Sequence, residues 1–414
     1  MISSETDQSG AACKKAGLLP WALALIAPVV PVLMLVRSWE SYLPEVSDFP
    51  EYYAASWLSL HGRGGDLYVL ESLGALQHQL FPELARAVVP FLLTPPAVIF
   101  IAPLSLLPAS LSWVVWLLLI GVALLVSLAV LARLLRLSAG AILYTFAVMS
   151  VSGAVFECLK LGQIAPLLLL AYSAGLWFES RAKPVLAGLS YAILLVKPQF
   201  LLPVLVACGA RKRYRCLSVL GLACALIGSV SLLFVGAGGW KRYLELSGAA
   251  LASPELVATG INSTLRGQLL RLLGPANLFV EPVFWTVWAV SILALYRGLK
   301  TGRPGHATLM AMPVAFLIAP YAQSYDLVLL LPSILCFVKS GLHRRLSAWI
   351  MMPYIVACTV LLLPFHSFFH YGYLLRGGVI NAGFWLVASY LLLVVVAQAR
   401  EKPLDAEDQT TPVP

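Results

Sequence analysis

The chain has 414 residues, a formal net charge of +9 and a composition that is 60% hydrophobic and 11% charged, with a mean hydropathy of +0.88. That much apolar surface exceeds what one water-facing globule buries, so the sequence reads as an all-α polytopic membrane protein and excludes a soluble enzyme domain. Its lysines and arginines fall mainly in short loops between apolar runs, which is a topology signal and not a nucleic-acid surface.

Residues 1–15 are rich in Ser, Glu, Asp and Gln and read as a disordered cytoplasmic tail, matched by EKPLDAEDQTTPVP at 401–414. Between them, over 16–400, about twelve apolar segments reach bilayer-crossing length. They lie near 17–36, 90–107, 110–131, 139–157, 162–178, 184–208, 216–236, 281–298, 306–320, 326–338, 346–364 and 378–397. The first lacks a small-residue cleavage site and reads as a retained span. The short, proline-broken segments at 162–178, 306–320 and 326–338 are candidates for re-entrant or half-helices. Seven cysteines, at 13, 158, 208, 216, 224, 336 and 358, lie in or beside spans, so no disulfide framework is expected.

An even count puts both termini on one side. Lys14 and Lys15, the cluster Arg211, Lys212, Arg213 and Arg215, then Arg297, Lys300 and Arg303, and finally His343, Arg344 and Arg345 mark that side as cytoplasmic. Arg133 and Arg136 then fall on the opposite face, as do Arg181 and Lys183 beside Glu179. Either a span between 90 and 178 is miscounted, or those arginines act outside.

On this count two long loops, 37–89 and 237–280, and the 321–326 turn face outward. The first contains SDFPEYYAASWLSLHGRGGDLY at 47–68, which gathers Asp48, Glu51, Arg63 and Asp66 with Tyr52, Tyr53, Trp57, His61 and Tyr68. The spacing of Tyr53, Trp57 and Leu60, and that of Leu70, Leu73, Leu76 and Leu80, predicts short amphipathic helices lying at the interface. In the second loop Trp240-Lys-Arg-Tyr243 reads as an interfacial belt, and GINSTLRGQLLRLLGP at 260–275 as a capped, basic, amphipathic helix. Phosphate-binding glycine loops, His-Glu metal helices and metal-spaced cysteine pairs are absent, so nucleotide chemistry is unsupported, no cofactor is expected and nothing demands a divalent ion. What remains on the outer face is a carboxylate, amides, a few cations and many aromatics. That is the chemistry of a sugar site with a lipid phosphate nearby.

Each candidate residue has two readings. Asp48 follows the first span and suits a general base on an acceptor hydroxyl, or an N-cap ahead of Pro50. Lys197, in Leu-Val-Lys-Pro-Gln, lies inside an apolar segment where a lysine costs roughly 2.5–3.5 kcal/mol, so it recognises phosphate or pairs internally. Glu157, Lys160 and Gln163, in ECLKLGQIAP, form a polar cluster suited to an internal ion pair. Asn262, Ser263 and Arg266 offer donors to sugar or phosphate, and Asn-Ser-Thr also matches a glycosylation sequon and a helix cap. Gln323, Ser324, Tyr325 and Asp326 place polar atoms between two short spans, with capping by Asp326 as the alternative. His366 and His370 share a face with aromatics and read as interfacial.

The order and spacing of these segments resemble glycosyltransferase family 87, the polyprenyl-phosphate-mannose-dependent mannosyltransferases of the glycosyltransferase C superfamily. The resemblance runs over most of 40–335. It is carried by Asp48 with Tyr52 and Tyr53 and the downstream HGRGGDLY, LLTPPAVIFIAPLSLLP at 92–108, LGQIAP at 161–166, VKPQ at 196–199, NSTLRGQLLRL at 262–272, and APYAQSYDLVLLLP at 319–332. Gly162-Gln163-Ile164-Ala165 departs from the family's frequent Gly-Gln-x-Asn, and Gln323-Ser324-Tyr325 stands where some members have an aromatic or His. The resemblance implies a catalytic base at Asp48 and a polyprenyl-phosphate sugar donor. It further implies inverting transfer of a mannose-like sugar to a lipid or glycan acceptor at the outer face of the cell membrane. Tyr52, Tyr53, Gln163, Lys197, Asn262, Arg266, Gln323, Tyr325 and Asp326 are the expected substrate-binding residues, with Lys197 or Arg266 neutralising the leaving phosphate. A transporter or flippase of a lipid-linked substrate, and a non-catalytic polyprenyl-phosphate-binding protein, are the rival readings.

Overall fold

The computed structural model describes residues 47–82, 84, 88–253, 262–300, 306–340 and 387–391, together with Val29. The expected span at 17–36, both tails, the segment at 346–364, most of that at 378–397, and His366 and His370 lie outside the described residues. Within them the chain is helical, and the sole extended pairing is the antiparallel bridge between Asn262 and Gln323.

Three described helices are long and apolar enough to cross a membrane: Ala109–Leu134, Tyr214–Ala252 and Val280–Lys300. A fourth crossing is the pair Ala139–Val151 and Gly153–Leu161, taken as one span bent by 58°. Their outward sides carry bare leucines such as Leu118, Leu226 and Leu233. Apolar residues facing away from the fold along helices of this length belong against lipid, and the protein is membrane-embedded.

We number the principal helices in chain order. Helix α1 is Phe49–Leu60 and α2 is Leu70–Leu80. Next come α3, Ala109–Leu134, and the bent pair α4, Ala139–Val151, and α5, Gly153–Leu161. After α6, Ala165–Ser180, follow α7, Pro184–Ala192, and α8, Pro198–Ala210. The long α9, Tyr214–Ala252, changes direction at Gly236, whose φ of 66° is non-helical. The short α10, Leu265–Leu273, leads to α11, Val280–Lys300, then α12, His306–Ile318, and α13, Leu331–Lys339.

Proline overturns two of the expected straight spans. The segment at 90–107 is a string of short turns: Pro95–Ala97 and Ala102–Leu106 are 3-10 turns around the single α-turn Val98–Ile101. Pro90, Pro95, Pro96, Pro103 and Pro108 each lack an N–H, so no continuous ladder forms. The segment at 184–208 breaks at Lys197, which adopts φ −132° and ψ 85°. A residue before proline is pushed out of the helical region, and Pro198 restarts the chain as α8. Arg213 just beyond α8 reaches Glu179 at the end of α6, 3.0 Å away, so the chain returns to the end from which α7 began. Helices α7 and α8 thus form a hairpin with Lys197 at its tip.

Helix α1 also differs from expectation. Instead of lying at an interface it is almost wholly buried, with Phe49, Tyr52, Tyr53 and Leu58 all in the core. Its polar atoms find backbone partners in the proline-rich turns: Tyr53 Oη donates to the Leu107 carbonyl at 2.8 Å and Ser56 Oγ to that of Ala102 at 2.6 Å. The expected helix at 68–80 does form, with Leu73 and Leu76 buried and Leu70 exposed.

The end of α5 is fixed by Gly162, whose φ of +70° closes the helix in the left-handed conformation. A Cβ there would lie 2.5 Å from the Trp113 ring, so no larger residue fits. Trp116 Nε1 donates to the Gly162 carbonyl at 2.7 Å and ties the start of α3 to the start of α6. Both helices run away from that point, and Arg133, Arg136, Arg181 and Lys183 emerge together at the far end, beside Arg211 to Arg215. The chain therefore places all these cations at one end of the fold. Counting 90–107 and 184–208 each as a single crossing is what had separated them.

Candidate active site

Asp48 precedes α1. Its N–H donates to the Leu161 carbonyl at 2.9 Å, joining the start of α1 to the end of α5. Although Asp48 occupies the N-cap position, its side chain makes no capping bond. The nearby cap is Ser47, whose Oγ accepts from the Phe49 N–H at 3.0 Å. Freed from capping, the Asp48 carboxylate turns to Gln163, whose Nε2 donates to Oδ2 at 2.5 Å. Gln163 Oε1 in turn accepts from Tyr52 Oη at 3.1 Å, which fixes the amide's orientation. Burial, aided by the carboxylates of Glu51 and Asp48, pushes the Tyr52 hydroxyl well above its usual range, so it stays protonated and remains a donor.

Asp48 opens onto a cavity of about 690 Å³ that also receives Tyr52, Glu51, Glu157, Lys160 and Gln163. From the hairpin tip come Lys197 and Gln199, and from the turn after α12 come Tyr321, Gln323, Tyr325 and Asp326. Lys197 Nζ lies 2.6 Å from Asp326 Oδ1 and 4.8 Å from the centre of the Tyr325 ring. The other oxygen of Asp326 accepts from the Gln323 N–H at 3.1 Å, completing a reciprocal capping box at the head of the 3-10 helix Ser324–Leu330. The capping alternative for Asp326 and the pairing alternative for Lys197 are therefore realised at one place. Glu157 accepts from Ser324 Oγ. One wall is apolar, built by Leu92, Leu202, Leu251 and Trp288. The lining holds four carboxylates, Asp48, Glu51, Glu157 and Asp326, against two lysines, Lys160 and Lys197. A cavity with a charged floor and an apolar wall suits an amphipathic ligand.

Of the residues singled out in the sequence, Asp48, Tyr52, Gln163, Lys197, Gln323, Tyr325 and Asp326 meet at this cavity, and three stand elsewhere. Tyr53 packs against Phe81 and Phe49 and spends its hydroxyl on Leu107. Asn262 is fully buried; its Oδ1 accepts from the N–H groups of Thr264 at 3.2 Å and Ala322 at 3.3 Å, which latches the segment after α9 onto the turn bearing Gln323. Such burial withdraws it from a glycosylating enzyme. Arg266 is engaged by Glu281 at 2.6 Å and by the Leu251 carbonyl at 2.9 Å, outside the cavity lining. Glu51, Gln199 and Tyr321 were not singled out as ligands. Their signals were present, since Glu51 follows Asp48 by three residues and Gln199 follows the Lys-Pro break by one. Trp288 carried none, because in an apolar run it looks like any lipid-facing aromatic.

The model of glycosyltransferase family 87 matches residues 91–320, more than half of the chain. Neither a curated protein nor a solved structure matches the chain.

Proposed function

The chain belongs to glycosyltransferase family 87 and is a membrane glycosyltransferase; from that premise we propose that it moves a mannose-like sugar from a polyprenyl-phosphate donor to a lipid or glycan acceptor at the outer face of the membrane. The observation that carries this reading is the cavity itself. It combines a carboxylate held by an amide, two lysines and an apolar wall, the three things a lipid-phosphate sugar donor and a hydroxyl acceptor require.

In this mechanism the Asp48 carboxylate takes the proton of the acceptor hydroxyl as its oxygen attacks the anomeric carbon. The bond from that carbon to the phosphate oxygen breaks on the opposite side, so configuration inverts and polyprenyl phosphate departs. Lys197, with Lys160, offers N–H donors to the charge growing on the leaving phosphate. Arg266, the other cation suited to that role, does not line the cavity, which favours Lys197. The polyprenyl chain lies along Trp288, Leu202 and Leu251.

The test is sugar transfer in membranes from cells expressing wild type or Asp48→Asn, supplied with radiolabelled polyprenyl-phosphate-mannose and a membrane lipid extract. Loss of a general base lowers turnover roughly 10²–10⁴-fold with donor binding retained. Undiminished transfer by Asp48→Asn removes the base assignment. No transfer by folded wild type with varied acceptors removes the donor assignment.

A further inference from the structure

At the end of the fold opposite the cavity, three helix termini converge. Glu179 closes α6, Cys208 lies in the last turn of α8, and Cys216 lies in the first turn of α9. One ligand atom from each lies within 4.8 Å of the others, and both thiols are buried. The two sulfurs are 3.9 Å apart. Two thiolates on a tetrahedral zinc ion, each about 2.3 Å from it, stand ~3.8 Å apart, whereas a disulfide needs about 2.05 Å. The observed separation excludes a disulfide and is that of two sulfurs in S–H···S contact or on a shared ion. The carboxylate beside them points to the ion, because it repels a bare thiolate and is itself a cation ligand.

We propose that Glu179, Cys208 and Cys216 form a binding site for one thiophilic divalent cation of the zinc class. Two thiolates and a carboxylate carry −3; a divalent ion and the guanidinium of Arg213, 3.0 Å from Glu179, bring the cluster to neutrality, as a low-dielectric site demands. A monovalent soft ion leaves it at −1, and magnesium or calcium requires oxygen ligands. Glu179 is 13% exposed and Arg213 33%, so ion and water reach the site from that side, and water supplies the fourth ligand. Arg213 orients the carboxylate as outer hydrogen bonds do at such sites. The ion clamps α6, α8 and α9 together. No sequence motif announced it, since the cysteines lie eight positions apart and the third ligand comes from another helix.

The test uses the full chain in detergent, reduced with a phosphine, stripped with a chelator and titrated with cobalt(II). One cobalt per chain is expected, with sulfur-to-cobalt charge-transfer absorption and tetrahedral visible bands, both abolished by zinc. Mass spectrometry after alkylation is expected to find Cys208 and Cys216 protected by zinc. The pair Cys208→Ser and Cys216→Ser is expected to lose the bands, and Cys224→Ser to keep them. Absence of thiolate bands in wild type, their persistence in the double variant, or zinc protection confined to other cysteines overturns the proposal. Should the double variant fail to fold, the wild-type spectrum and protection pattern still decide.

Discussion

A carboxylate serves as a base when it is aimed at the hydroxyl it deprotonates, and the amide of Gln163 aims Asp48. The amide N–H donates to Oδ2, while Tyr52 holds the amide so that nitrogen and not oxygen faces the acid. Replacing Gln163 with Leu withdraws that support, and kcat falls about 10-fold with little change in donor KM. Tyr52→Phe, acting one bond further away, lowers kcat by less. An unchanged kcat in Gln163→Leu removes the positioning role. Residue types of this triad were legible in the sequence, since Asp48, Tyr52 and Gln163 each stood out in an apolar chain. Their contact was not, because Asp48 and Gln163 lie 115 positions apart and nothing local records the pairing.

Between elements, the decisive pair is Lys197 with Asp326, which joins the α7–α8 hairpin tip to the 3-10 helix Ser324–Leu330. The break at Lys197 was legible from Pro198, but its partner, 129 positions on, was not. The turns at 90–107 were misread for a related reason: hydropathy counts apolar side chains and ignores the N–H groups that Pro90, Pro95, Pro96 and Pro103 lack. Burying two charges costs more than their attraction returns unless geometry is good, so the pair's worth shows mainly when one member is removed. Asp326→Asn leaves an acceptor for the Gln323 cap but strands the lysine, with an expected loss of ~3–5 kcal/mol. The double variant Lys197→Met with Asp326→Leu restores most of that stability and remains inactive. Thermal unfolding in detergent beside the transfer assay separates these outcomes. If Asp326→Asn melts with wild type, water already screens the pair.

Across the whole molecule, the two ends differ in chemistry. One gathers Arg133, Arg136, Arg181, Lys183 and the 211–215 cluster; the other holds the cavity with Asp48, and near it the loop His61 to Gly65, exposed at His61 to Arg63, where Arg242 donates to the Gly65 carbonyl at 2.6 Å. Gly64 packs so tightly beneath α9 that a Cβ would lie 1.7 Å from the Phe234 carbonyl oxygen, fixing that loop beside the bend at Gly236. Two revisions, 90–107 as a non-crossing segment and 184–210 as a hairpin, put every one of these arginines on one side. The positive-inside rule then holds without exception among them, which supports the outer-face placement we propose for the cavity. The orientation predicts opposite labelling for exposed positions. His61→Cys is expected to react with an impermeant maleimide in intact cells above the wild-type level. Arg136→Cys and Arg181→Cys are expected to react only after the membrane is opened. Labelling of Arg136→Cys in intact cells means that 90–107 crosses after all, and the cavity's side must then be reassigned. Labelling of all three only in opened membranes places the cavity inside, where an outer-leaflet donor cannot reach it.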